Sequence, residues 1–414
     1  MTSFSIQSFG CRVNQAEAFS WVDEFQKHGL KYEQDFFKSD LVLVNTCTLT
    51  SRADRDVRSF LNKTSRLNPS ARLIVTGCFA ERAAEELKEF PQVWQVFSNQ
   101  KKEEISSKII SLIAPAAEDS QISYRSRALV KIQDGCNLSC TFCIIPQVRG
   151  KSKSSKPDII LQKVKDYTEQ DFQEIVLTGI HVCLYGSDIS PKLTLLDLLK
   201  KVGRLKNTAR IRLSSLDPRF MSEPLLEHLA TSKQICSHFH FSLQHGSEDV
   251  LRRMGRRVKI ADYKKILEYL EDKRPHVSLG ADIIVGFPGE SDLEFQEMFQ
   301  FLKKSPLTYF HVFPYSPRPG TDAENRSPVN GKIKKERAAQ LRQLSRDKNL
   351  NFRSSKKGIE LEAVVIKKGK QRTRVLTDNY IEVQVPSCTA REKERIKILI
   401  TRVTKSQTFG QVLQ

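Results

Sequence analysis

Cys136, Cys140 and Cys143 fall within the stretch Gly135-Cys136-Asn137-Leu138-Ser139-Cys140-Thr141-Phe142-Cys143, directly after the strand-like run Ala128-Leu129-Val130-Lys131-Ile132. Cysteines crowd in sequence chiefly when they share a ligand. The C-x3-C-x2-C spacing is too tight for a zinc finger, which needs a fourth ligand and longer loops between ligand pairs. Three thiolates on one loop can instead hold three corners of an iron-sulfur cube, leaving the fourth iron open to another molecule. An open iron points to chemistry rather than to a structural staple.

The elements around a second, dispersed trio give it a common position. Phe4-Ser5-Ile6-Gln7-Ser8-Phe9 alternates like a strand and ends at Gly10-Cys11; Asp40-Leu41-Val42-Leu43-Val44-Asn45-Thr46 runs into Cys47; Arg72-Leu73-Ile74-Val75-Thr76-Gly77 runs into Cys78. Helical spacing is expected over 15–28, 51–66 and 81–89, with Asn68-Pro69 ending the second helix. Apolar β-branched strands alternating with helices predict a parallel sheet covered on both faces. Ligands bind such sheets at the carboxyl ends of the strands, which is where Cys11, Cys47 and Cys78 all fall. That trio reads as the seat of a second cluster, again with one iron open.

The C-x3-C-x2-C loop resembles the radical S-adenosylmethionine (radical SAM) signature, whose open iron chelates the amino and carboxylate groups of SAM. Gly10-Cys11-Arg12-Val13-Asn14-Gln15, Val44-Asn45-Thr46-Cys47 and Thr76-Gly77-Cys78 resemble the N-terminal domain of the radical SAM methylthiotransferases, which binds an auxiliary 4Fe-4S cluster. The resemblance covers essentially the whole chain. Its Gly-Cys-Arg-Val-Asn-Gln form is similar to the branch that modifies N6-threonylcarbamoyladenosine in tRNA. The isopentenyladenosine branch typically has a Gln-Met-Asn form, and the branch acting on a ribosomal-protein aspartate a Pro-Lys-Asn form. Ala16-Glu17 stand where the first branch often carries an aromatic residue.

The resemblance implies two 4Fe-4S clusters, on Cys11, Cys47 and Cys78 and on Cys136, Cys140 and Cys143, together with SAM. Leu177-Thr178-Gly179-Ile180-His181, Leu213-Ser214-Ser215-Leu216-Asp217-Pro218, Ser242-Leu243-Gln244-His245-Gly246-Ser247 and Ile284-Val285-Gly286-Phe287-Pro288-Gly289-Glu290 resemble the family's SAM-lining segments. Backbone around Phe142 and Gly286 is expected at the adenine, and polar groups near Gly179 and Gln244 at the methionyl end. His245 replaces the family's usual Ser, and Asp217 its usual Glu. The implied activity is addition of a methylthio group to carbon 2 of threonylcarbamoyladenosine beside the anticodon. The alternatives are the other two branches or, in another class, a non-catalytic iron-sulfur RNA-binding protein.

Six strand candidates, from the run before Cys136 to Phe310-His311-Val312-Phe313-Pro314-Tyr315, alternate with helices and predict a partial (β/α) radical SAM barrel. After a charged helix over about 332–352, short alternating strands from Ile359 onward predict a small C-terminal β-barrel. The fold class is thus α/β, with expected domains at 1–120, 121–353 and 354–414. Residues 356–414 carry thirteen Lys or Arg against six Asp or Glu, with Lys367-Lys368-Gly369-Lys370-Gln371-Arg372-Thr373-Arg374 at a hairpin-like tip. This region resembles the family's TRAM domain, an RNA-binding barrel. Arg149-Gly150-Lys151-Ser152-Lys153-Ser154-Ser155-Lys156 reads as a solvated loop or a phosphate holder, and Arg252 to Lys259 as a helix cap or polyanion contact.

The 414 residues hold 39% hydrophobic positions, enough for several cores, and a formal charge of +19 that favours a polyanionic partner. Nine cysteines without a secretion leader suggest metal binding in a reducing compartment rather than a disulfide framework. With no apolar span, a cytoplasmic protein without membrane association is expected. Its partners are expected to be tRNA and an electron donor such as a flavodoxin or ferredoxin, and the chain is expected to be a monomer. His181, His238, His240 and His311 read as packed or hydrogen-bonded histidines with no catalytic role, and Cys183, Cys236 and Cys388 as incidental thiols.

Overall fold

The computed structural model describes residues 2–112, 125–206 and 209–413. The chain divides into two compact units, Met1–Arg125 with Asp134–Lys153 and Ser316–Glu324, and Ser126–Gln133 with Ser154–Tyr315 and Asn325–Gln414.

The first unit is built on β1 (Ser3–Ser8), β2 (Lys31–Tyr32), β3 (Leu41–Thr46), β4 (Arg72–Gly77) and β5 (Val93–Val96), all parallel in the order β2-β1-β3-β4-β5. Every residue of β3 is buried, as a central strand covered on both faces requires. One face packs Phe4, Leu43 and Ile74 against Trp21 and Phe25 of the helix Arg12–Lys27 and Ile105 of the helix Glu104–Leu112. The other packs Val42, Val44 and Val75 against Val57 and Leu61 of the helix Ser51–Leu67.

Helix boundaries differ from the expected ones. The first helix begins at Arg12, directly after Cys11, rather than at Gln15. The helix expected over 81–89 is two short helices, Cys78–Arg82 and Ala84–Lys88, broken at Ala83. The earlier start makes Cys78 the first residue of a helix. The sequence predicts a linking helix over Lys101 to Ile113 and a polar turn over Pro115 to Ser120; the helix runs Glu104–Leu112, and Ile113 and the turn lie outside the described residues.

In the second unit, β6 (Ala128–Asp134), β7 (Lys153–Ser154), β8 (Glu174–Gly179) and β9 (Arg210–Leu213) form a sheet in the order β7-β6-β8-β9, and β6 ends where the chain passes into the first unit. β10 (His238–Gln244), β11 (Ser278–Val285) and β12 (Tyr309–Pro314) form a parallel sheet in that order. Parallel bridges from Ile211 to Ile235 and from Leu216 to Phe241 link the two arcs. Helices Pro157–Glu169, Leu195–Gly203, Glu223–Thr231, Ile260–Lys273 and Asp292–Lys304 fall between the strands, giving the partial (β/α) barrel. Along β10 and β11, Phe239, Phe241, Leu279, Ala281 and Ile283 are fully buried, while His240, Gln244 and Asp282 on the alternate face are only partly so.

The helix Gly331–Ser354 leads into a closed barrel of β13 (Glu360–Lys367), β14 (Arg372–Thr377), β15 (Glu382–Pro386), β16 (Arg395–Val403) and β17 (Thr408–Val412), ordered β13-β14-β15-β17-β16 around Val365, Val375, Val383 and Ile398. This barrel docks at the amino ends of β8, β9 and β10, away from the strand ends that carry the site. Glu174, fully buried at the start of β8, binds Arg210 and Arg212 (2.9 and 2.7 Å). Those guanidiniums in turn donate to the carbonyls of Leu376 and Asp378. Tyr380 stacks on His238 at 4.3 Å. Among the described residues no helix is long and apolar enough to cross a membrane.

Candidate functional site

In the first unit, three strand ends bring Cys11, Cys47 and Cys78 together. Gly10 sits at φ +85°, and a Cβ on it would come within 2.5 Å of Cys47 Sγ, so the β1 turn closes directly over that thiol. Burial pushes the Cys47 thiol up to about 12, with Cys11 and then Cys78 adding to the effect. Burial likewise raises Cys11, opposed by the Arg149 cation. Thiols this closely coupled need a shared cation or metal to carry their charge, and an all-sulfur donor set suits an iron-sulfur cluster.

Arg149 supplies fixed positive charge. It ends the short helix Ile145–Arg149, is 1% exposed, and donates from Nε to Cys78 Sγ (3.2 Å). Its Nη1 binds Asp134 (2.7 Å) and Glu17 (3.2 Å), and its Nη2 binds Asn14. Glu17 is also paired with buried Lys102 (2.6 Å) and accepts from Asn45 (2.9 Å), so the network joins two cations, Arg149 and Lys102, to two carboxylates, Glu17 and Asp134. The basic segment expected to be a solvated loop or a phosphate holder therefore does neither at Arg149, because Cys78, Asp134, Glu17 and Asn14 claim its guanidinium.

The Cys136 loop lies in the same unit. Cys136, Cys140 and Cys143 are half-buried and line a cavity of about 630 Å³ together with Asn137, Gly150 and Thr321. The loop is held by Cys136 N–H donating to Gly150 O (3.1 Å) and Cys143 N–H donating to Cys140 O (3.0 Å). Gly135, at φ +64°, has no room for a side chain against Lys151 O. Half-buried Phe142 stands in the turn between Cys140 and Cys143. Three reachable thiols around one cavity fit a cluster that must also admit a small molecule.

In the second unit, Gly179, Gln244 and Gly286 end β8, β10 and the turn after β11. A Cβ on Gly179 would meet Gln133 Oε1 at 2.9 Å, and that oxygen accepts the His181 N–H (2.7 Å). Gln244 has φ +74° beside a register shift in β10, an uncommon conformation for a non-glycine residue that re-aims its side chain. Gly286, at φ +71°, donates to Glu290 Oε2 (2.8 Å).

No local signal marks how much Glu290 organises. It is buried, holds His245 on Oε2 (3.2 Å) and binds Arg337 through Oε1 (2.6 Å). His245 is thus a fully buried support for the Gly286 turn. Asp217 is similarly turned inward, holding Arg219 (2.7 Å), Arg256 (3.1 Å) and His181 (3.3 Å). Of the cations between Arg252 and Lys259, Arg253 and Arg256 are tied to Glu294 and Asp217, while Arg252, Arg257 and Lys259 line a cavity of about 680 Å³. Cys183 and Cys236 are pushed up by burial, to about 12 and about 11, and read as inert thiols. His240 and His311 both converge on Asp282.

The partial barrel with its cysteine loop defines a radical SAM protein. Residues 130–302 match the Radical SAM superfamily, and residues 3–98 match a family described as Uncharacterized protein family UPF0004. The chain is 35% identical to the threonylcarbamoyladenosine tRNA methylthiotransferase MtaB of Aquifex aeolicus, over 92% of this chain and 96% of the relative. It is 32% identical to the protein of the same name from Bacillus subtilis, over 92% and 90%. The chain belongs to the threonylcarbamoyladenosine tRNA methylthiotransferase family, whose cofactors are SAM and 4Fe-4S clusters. In fold it is similar to the radical SAM methyltransferase TsrM from Kitasatospora setae, solved with cobalamin and a [4Fe-4S] cluster bound. The TM-score is 0.57 at 12% identity, covering 78% of this chain and 77% of that one.

Proposed function

We propose that this protein transfers a methylthio group to carbon 2 of N6-threonylcarbamoyladenosine in tRNA, with Cys136, Cys140 and Cys143 holding the SAM-binding cluster and Cys11, Cys47 and Cys78 the auxiliary one. The observation that carries this reading is the presence of two cysteine trios, one at three adjacent strand ends and one around an open cavity. When bound, the clusters supply reductive SAM cleavage and the sulfur to be transferred.

The chain's own residues bind, orient and exclude water. Arg149 offsets the negative charge of the sulfur ligands and holds Cys78 in place; Glu290 fixes the Gly286 turn, and Gln133 the Gly179 strand end, where SAM is expected. The barrel over 354–414 serves as the RNA-binding domain. It exposes Lys367, Lys368, Lys370, Arg372 and Arg374, and Arg372 and Arg402 flank the Phe409 ring at 5.0 and 4.1 Å. Cations beside a ring suit phosphates and a stacked base. We take the domains as 1–120, 121–353 and 354–414, the reductant as a flavodoxin or ferredoxin, and the protein as a cytoplasmic monomer.

The test is mass spectrometry of tRNA nucleosides from cells lacking the protein. Loss of the methylthio form of threonylcarbamoyladenosine, with the isopentenyl series unchanged, is the expected result. Unchanged nucleosides would overturn the reading.

A further inference from the structure

His240, Asp282 and His311 come from three adjacent parallel strands, β10, β11 and β12, and their ligand atoms lie within 4.8 Å of one another. Asp282 and His311 are direct register partners. His240 Nε2 is 2.9 Å from Asp282 Oδ1, and His311 Nδ1 is 3.2 Å from the same oxygen. Two donors at ~2.1 Å from one ion and about 90–110° apart are about 3.0–3.4 Å from each other. Both edges to Asp282 are close to that separation.

The surroundings are built to hold His240. Its Nδ1 shares a hydrogen bond with Tyr309 Oη (3.1 Å), which in turn bonds His238 Nε2 (2.7 Å). Fixing the second ring nitrogen orients an imidazole and raises its basicity as a ligand. Tyr309 reaches His240 only because residue 280 is glycine: a Cβ there would run into the Tyr309 ring and His240 Nδ1. His311 is exposed, which leaves the outer side of the group open to solvent.

We propose that His240, Asp282 and His311 form a mononuclear site for a divalent first-row transition ion, separate from both cysteine trios. Two imidazoles and a carboxylate select an ion of borderline hardness such as Zn2+ or Fe2+ over Ca2+ or Cu+. The remaining positions would take water or a single oxygen donor, such as a carboxylate.

Zinc alone is the probe, because the clusters contain only iron. Cluster-loaded protein is equilibrated with buffered micromolar Zn2+, desalted, and assayed for zinc and iron. The site predicts about one zinc per chain in the native protein and less than about a tenth of that in His311→Ala, with iron unchanged in both. Tyr309→Phe should weaken zinc binding about tenfold or more. X-ray absorption at the zinc edge should show only nitrogen and oxygen ligands. His311 is a surface side chain, so His311→Ala should fold, and a melting curve checks this. No retained zinc, zinc equally retained by His311→Ala, or sulfur in the zinc shell would each overturn the proposal; the first would leave a purely hydrogen-bonded chain of side chains. None of these readouts depends on methylthiolation.

Discussion

Arg149 Nε donates a hydrogen bond to Cys78 Sγ across 3.2 Å, and the same guanidinium grips Asp134 at the entrance to the Cys136 loop. One side chain therefore touches a ligand of the proposed auxiliary cluster and the backbone approach to the other. Cluster potentials respond to net charge and to hydrogen bonds on sulfur. Arg149→Gln should shift the auxiliary cluster to lower potential in an EPR-monitored redox titration. Because it also strips the buried Glu17 of a partner, the folded state should lose about 3–5 kcal/mol. An unchanged potential in a folded Arg149→Gln protein would remove Arg149 from this role.

Gly10→Ala tests whether the β1 turn and Cys47 share space. The residue sits at φ +85° and its new Cβ would lie 2.5 Å from Cys47 Sγ. Reconstituted protein should then hold about four irons instead of about eight, with the Cys136 cluster retained. Full iron content would show that the β1 turn leaves room for a side chain beside Cys47.

Replacing Cys136, Cys140 and Cys143 together by Ala should abolish formation of 5'-deoxyadenosine from SAM under chemical reduction and again leave about half the iron. Residual cleavage would sink the ligand assignment.

Glu174 sets an acid limit. Burial pushes its carboxyl up, but Arg212 and Arg210 override that and hold it well below the usual value. A lowered folded value means that its stabilisation is complete above the ordinary Glu range and is lost as pH falls through the folded value. Undocking of the C-terminal barrel should therefore appear only in strong acid, and Glu174→Gln should bring it to neutral pH. Intrinsic fluorescence of the Tyr380 region, or limited proteolysis near Gly358, would follow it. Glu174→Gln should cost about 3–5 kcal/mol.

Lys368→Ala and Arg372→Ala should each weaken tRNA binding while lowering the slope of log K against log salt by about 0.7 to 0.9. A salt slope unchanged in the double variant would move the RNA contact away from this tip.

Much of this was legible in the chain because parallel strands buried on both faces have few ways to be written. Val42, Val44 and Val75 could only be core, and the cysteines after β1, β3 and β4 follow from the strand ends. The cysteine loop and the small barrel were equally plain, the first from spacing and the second from alternation and charge. Long-range pairing was not legible. Nothing local distinguishes Arg149 from the exposed Lys151 two residues on; only the acceptors Glu17, Asn14 and Asp134, remote in sequence, make it internal. Nothing local marks Glu290 as a buried organiser either, because its partners Arg337 and His245 are equally distant. His240, Asp282 and His311 are each unremarkable alone, and only the register of three strands joins them. Gly280 was the local signal available for that group, a glycine inside an otherwise apolar strand.

The pairing of Glu17 with Arg149 also bears on how such proteins can diversify. The acid is carried near the N-terminus and its guanidinium far along the chain, beyond the expected domain boundary. An N-terminal segment grafted onto a relative's barrel would bring the buried carboxylate without its matching cation. Unless the recipient supplies an arginine at the corresponding place, the hybrid should fold poorly. Exchange of parts between relatives is thereby restricted to cuts that keep both residues from one parent.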